Sequence, residues 1–135
     1  MGVSIQKKGG CESMKKWMES SVVFFPCHDQ QETRDYYTNV LGLTIHQEKE
    51  GNLILDTGYG YLGFVEYGDG RPMATGVCIS FNCESREQVD EVYQRIKDNP
   101  ACQVKGAPQH HARFPVYSFF LSDPNGYTLE FQKLD

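Results

Sequence analysis

Short apolar runs alternate with helical stripes along this chain, in an order that occurs twice. The segment Ser21–Cys27 is an apolar run that suits a buried strand, with Pro26 at its end. Asp29 follows as a helix N-cap, with Glu32 three residues on, the spacing of a capping box. Tyr36, Tyr37, Val40 and Leu41 give the helix its apolar stripe, and Gly42 suits the residue just past its end. Three strand-like pieces come next, at Thr44–Lys49, Asn52–Asp56 and Gly60–Tyr67, with turn residues at Glu50-Gly51 and Thr57-Gly58. The dense turn signals of Gly68–Pro72 read as a linker.

The pattern then starts again. Gly76–Cys83 is strand-like, and Ser85 caps a second helix whose stripe is Val89, Val92, Tyr93 and Ile96. Asn99-Pro100 stops that helix. The remaining strand candidates are Cys102–Gly106, Val116–Ser122 and Tyr127–Gln132, with Asp123–Gly126 as the last turn. Asp29 and Ser85 lie 56 positions apart, so two halves of equal length are expected, each βαβββ. The fold class is therefore α+β, two modules (19–74 and 75–135) forming a curved mixed sheet with a cupped trough. Residues 1–18 are expected to be a flexible leader, with Met14 as an alternative start.

Composition narrows the function classes. The 135 residues fit one domain with a sizeable core, since 39% are hydrophobic and aromatics abound, with 8 Tyr and 8 Phe. The net charge of −5 and the absence of a basic stripe exclude nucleic acid as a partner. No apolar run is long enough for a membrane span, and five cysteines without a C-x-x-C argue for a reducing, cytoplasmic setting.

Two motifs in this order resemble the vicinal oxygen chelate superfamily, which includes glyoxalase I, bleomycin-binding proteins, fosfomycin-resistance enzymes and extradiol dioxygenases. Asp29, Arg34-Asp-Tyr-Tyr37 and Val40-Leu-Gly-Leu43 are similar to the family's first-half pattern, and Asp123-Pro-Asn-Gly-Tyr-Thr-Leu-Glu-Phe-Gln132 to its closing turn and strand. The resemblance spans roughly residues 20–135. It implies inward-facing ligands for a divalent metal on strands of both halves. At the first such position stands Val22, which cannot bind a metal. At the next stands Cys78, which serves only a soft ion. Glu130 matches the closing-strand carboxylate, and Glu66 or Phe64 falls at the end of the first half. The resemblance thus implies a broken metal site; if a metal is present, Glu66, Cys78 and Glu130 are its candidates. Pairing of this family's sheets implies a homodimer.

Glu130 sits between Leu129 and Phe131, so alternation turns it to the opposite face, where it is the candidate catalytic or anchoring carboxylate. Gln132 shares that face. Cys78 shares a face with Ser80 and Asn82. Phe24, Tyr61 and Tyr117 are candidates to line an apolar pocket, and His46 to reach it from the second strand. His111 and Arg113 lie in a loop that would hold an anionic or oxygen-rich ligand over the trough mouth.

These residues support a protein that binds a small organic molecule in a mostly apolar trough, without the usual metal and with no other cofactor. Whether it is an enzyme stays open. The alternative is a metal-dependent lyase, transferase or dioxygenase built on Glu130 and recruited ligands. A third reading is a pure interaction domain.

Overall fold

A computed structural model describes residues 17–135, so the expected leader, apart from Trp17 and Met18, lies outside the described residues, as does Cys11. The first module runs β1 (Val22–Pro26), α1 (Gln30–Asp35), β2 (Thr44–Lys49), β3 (Asn52–Asp56) and β4 (Tyr61–Val65). The second runs β5 (Cys78–Asn82), α2 (Arg86–Ile96), β6 (Gln109–His110), β7 (Val116–Ser122) and β8 (Thr128–Leu134). Each module is one four-stranded mixed sheet, ordered β1-β4-β3-β2 and β5-β8-β7-β6. In both, the first strand is an edge and pairs parallel with the last; the other pairings are antiparallel.

Local chemistry sets the helix starts. The Asp29 carboxylate accepts from the Glu32 N–H at 2.9 Å, and the Ser85 hydroxyl from the Gln88 N–H at 3.0 Å. The first helix widens into a π-turn over Tyr36–Val40, where the Leu41 N–H reaches the Tyr36 carbonyl. Gly42 then reverses the chain with φ +80°.

One sheet candidate moves. Cys102–Gly106 is not a strand: Asn99 caps a 3₁₀ turn at Pro100–Cys102, and Gln103 turns left-handed at φ 49°. The fourth strand forms later, at Gln109–His110, against Ser118 and Tyr117.

Alternation divides each sheet into a helix-facing and an open face. Leu53, Leu55 and Phe64 meet Tyr37, whose ring stacks on Phe64 at 4.9 Å. Phe119 and Leu129 pack with Val89 and Ile96 of α2. The two sets belong to one continuous core, so the modules join through their helix sides. The junction is the Asp123–Tyr127 turn, which docks on the first module. Tyr37 donates its hydroxyl to Asp123 at 2.8 Å, Asn125 donates to the Thr33 hydroxyl at 3.2 Å, and Tyr127 donates to the Pro26 carbonyl.

Candidate functional site

Because the helix faces are spent on the shared core, the chemistry left to the solvent lies on the two open faces. On the second sheet, register places Ser80 beside Glu130 and Phe120, and Asn82 beside Gln132 and Ser118. Glu130 lies on a central strand and is 7% exposed. The Ser80 hydroxyl donates to its Oε1 at 2.6 Å, and the Cys78 thiol lies 4.0 Å from the same oxygen. Gln132 donates to the Asn82 side-chain oxygen at 2.9 Å. This face is a lattice of hydroxyls, amides, a thiol and one carboxylate beside Phe120, because the polar positions of β5 and β8 alternate in phase.

Burial pushes the Cys78 thiol upward; the Ser80 hydroxyl draws it back, and the Glu130 charge adds to the rise. Cys78 is therefore a neutral thiol near pH 7, poorly suited to act as a nucleophile.

The open face of the first sheet is aromatic. Tyr61 shares it with Phe24, Ile54 and Val65 by register. A bulge between Ile45 and Gln47 leaves His46 as the extra residue of β2, and its ring rests 4.4 Å from that of Tyr61. Phe24 is 42% exposed and lies across Gly63, where an added Cβ would fall 2.4 Å from the ring. Gly63 thus lets the ring lie close against the backbone. A lone glycine inside a strand pattern is the sequence signal for such an approach. Gly63→Ala is expected to fold, to cost no more than about 1 kcal/mol, since the displaced ring is half in solvent, and to dislodge Phe24. Urea unfolding and the Phe24 ring resonances check this; unchanged ring shifts would refute it.

The structure therefore gathers Cys78, Glu130 and Gln132 on one open face, and Phe24, His46 and Tyr61 on the other. Ser80, which sequence reading placed on the Cys78 face without assigning it a role, is the direct partner of Glu130. Tyr117 lies elsewhere: it faces α2, and its hydroxyl donates to Asp90 at 2.6 Å. Glu66 accepts from the Gln30 N–H at the start of α1, on the helix side. His111 Nδ1 accepts from the Arg113 N–H at 3.0 Å and so organises its own loop. The same residue borders a cavity of about 640 Å³ that includes Ser118 and Phe120 of the polar face. Arg113 lies beside Phe114, at 5.2 Å from its ring. A second groove, of about 580 Å³, runs beside α1 and contains none of the candidate site residues.

Within one chain, no group of three His, Cys, Asp or Glu converges to hold a metal among the described residues. No helix there is long and apolar enough to cross a membrane. The two sheets are separate, and the free edges of β1 and β5 do not pack along each other.

The family model described as Glyoxalase/Bleomycin resistance protein/Dioxygenase superfamily matches residues 21–131. Among solved structures, a glyoxalase/bleomycin resistance protein/dioxygenase family enzyme from Burkholderia phytofirmans PsJN is similar at TM-score 0.71 and 17% identity, over 85% of this chain and 98% of that one. A possible glyoxalase from Bacillus cereus gives TM-score 0.66 at 25% identity, over 84% and 97%. A lactoylglutathione lyase from Agrobacterium tumefaciens gives 0.67 at 17%, over 89% and 96%. No curated protein matches the chain significantly in sequence.

Proposed function

Given that the chain belongs to the glyoxalase/bleomycin resistance protein/dioxygenase superfamily, we propose that it binds a small organic molecule between the aromatic open face of one copy and the polar open face of another. Glu130 anchors the ligand's polar end, Gln132 and Asn82 flank it, and Phe24, Tyr61 and His46 cover the apolar body.

One observation carries this reading. Each chain exposes two half-sites of complementary character, and each half-site borders a strand edge, β1 or β5, that has no partner among the described residues. A twofold contact that sets β1 against the β5 of the other copy covers both edges and builds two equal troughs. The expected assembly is therefore a homodimer, measured by sedimentation equilibrium.

The usual divalent site of the family does not fit these residues. Val22 offers no donor, Glu66 is engaged at the helix start, and Cys78 with Glu130 supplies two donors where a catalytic site keeps three. Protein purified without chelator is expected to carry only substoichiometric nickel, zinc, manganese and iron by plasma mass spectrometry. A full, tightly held equivalent would overturn the reading.

The closeness of Cys78 to Glu130 favours a second reading, a metal-dependent lyase, transferase or dioxygenase whose remaining donor comes from the other copy. A Glu130→Ala variant that kept a full metal complement would remove it.

A further inference from the structure

We propose that the ligand carries a protonated nitrogen, an ammonium or amidinium, attached to a flat aromatic body, with the nitrogen on Glu130 and the body on Phe24. The inference rests on the trough proposed above and names the chemical class that fits it. Glu130 is the carboxylate at the middle of the polar face, 93% removed from water, yet among the described residues its only hydrogen-bonding partners are the Ser80 hydroxyl and the weakly donating Cys78 thiol. No Lys, Arg or His pairs with it among the described residues. A carboxylate so placed is costly without a counter-charge, and a cation brought by the ligand relieves that cost.

The neighbours disfavour the opposite sign. Along the central rows of both open faces stand hydroxyls, amides, aromatics and aliphatics; Lys49 is at the β2–β3 hairpin end, and Asp56 is tied to its own turn by the Gly58 N–H. An anionic ligand would meet Glu130 in a poorly solvated place where no cation pairs with it among the described residues; Lys105 and His111 stand farther out, lining the cavity beyond Ser118 and Phe120. The aromatic half-site suits the same class: Phe24, held flat on Gly63, presents a ring face to solvent, on which a flat aromatic body can stack.

Three naphthalene probes with one body and three charges test this: naphthalen-2-ylmethanamine, naphthalen-2-ylmethanol and 2-naphthoate, titrated calorimetrically into the full chain at pH 7. The amine is expected to bind at least about tenfold more tightly than the alcohol, and the naphthoate most weakly. Glu130→Gln is expected to bring the amine to the level of the alcohol. The wild-type series needs no variant, so it stands even where Glu130→Gln does not fold. Equal binding of amine and alcohol, both weakened by Phe24→Ala, would overturn the charge assignment and leave the trough standing. Tightest binding of naphthoate would also overturn the assignment. Failure of all three probes to bind would remove both. Zinc chloride alone is the remaining arm: one equivalent bound by the wild type and lost in Glu130→Gln would assign the carboxylate to a metal instead.

Discussion

Replacing Asp123 with alanine is expected to destabilise the fold by about 3 kcal/mol and to lower its melting temperature by roughly 10 °C. The side chain is fully buried and accepts from four directions: the Asn125 and Tyr127 N–H groups at 2.8 and 2.9 Å, the Tyr37 hydroxyl at 2.8 Å, and the Asn125 amide at 3.3 Å. Alanine leaves those donors facing no acceptor in a place water does not reach, and each orphaned buried group carries a desolvation cost. Tyr37 cannot adapt by losing its proton, because burial, the largest cause of its raised hydroxyl pKa, persists in the variant. Since Tyr37 belongs to the first module and Asp123 to the second, the loss loosens the joint and not one half alone. Tyr37→Phe removes a single donor and leaves the other three bonds in place, so about 1 kcal/mol is expected from it. Urea unfolding followed by circular dichroism measures both. An Asp123→Ala protein within about 0.5 kcal/mol of wild type would show that the turn is not what fastens the modules.

Much of this joint was invisible in the sequence, where Asp123-Pro-Asn-Gly126 announced a turn and a family resemblance but no docking partner. Its role depends on which surface the turn meets, and that follows from packing rather than local preference. Local signals were legible where they were sufficient in themselves. The Asp29 and Ser85 caps, the reversal at Gly42 and the alternation that turns Cys78, Ser80 and Glu130 to one side are all found as read. The reading of Cys102–Gly106 as a strand failed because alternation over a few residues says nothing about partners. Asn99 offered the backbone a 3₁₀ turn instead, and only the Lys105 N–H reaches β7, at the Phe120 carbonyl. Tyr117 shows the same limit from another side. Its place in a strand was correct, but the face it takes is fixed by register with Phe119 and Leu121, and that face belongs to α2. The candidate site was therefore legible as a set of residue types, while its division into two half-sites was not. That division comes from the modules joining through their helix sides, a property of the whole core.

Mixing two weakened variants is expected to restore wild-type affinity in part of the troughs, and the amount restored is set by symmetry. In the proposed dimer each trough takes Phe24 from one copy and Glu130 from the other. Phe24→Ala spoils the aromatic half of both troughs in its own dimer, and Glu130→Gln the polar half of both in its own. Each is expected to weaken naphthalen-2-ylmethanamine by roughly tenfold or more. In a heterodimer the defects segregate: one trough collects both, and the other is built from two intact halves. After the two chains are unfolded together and refolded in equal amounts, half of the dimers are mixed, so about a quarter of all troughs should bind the amine with wild-type affinity. Heterodimers isolated by two different tags should show about half of their troughs intact. A trough formed inside one chain predicts none, since every chain then carries a defect in its own site. Titration of the tag-selected heterodimer separates these cases by stoichiometry at unchanged affinity, a readout that a small loss of folding stability cannot imitate. Zero recovery in a confirmed heterodimer would mean that the two open faces do not meet across the twofold axis. The exposed edges of β1 and β5 would then need another partner.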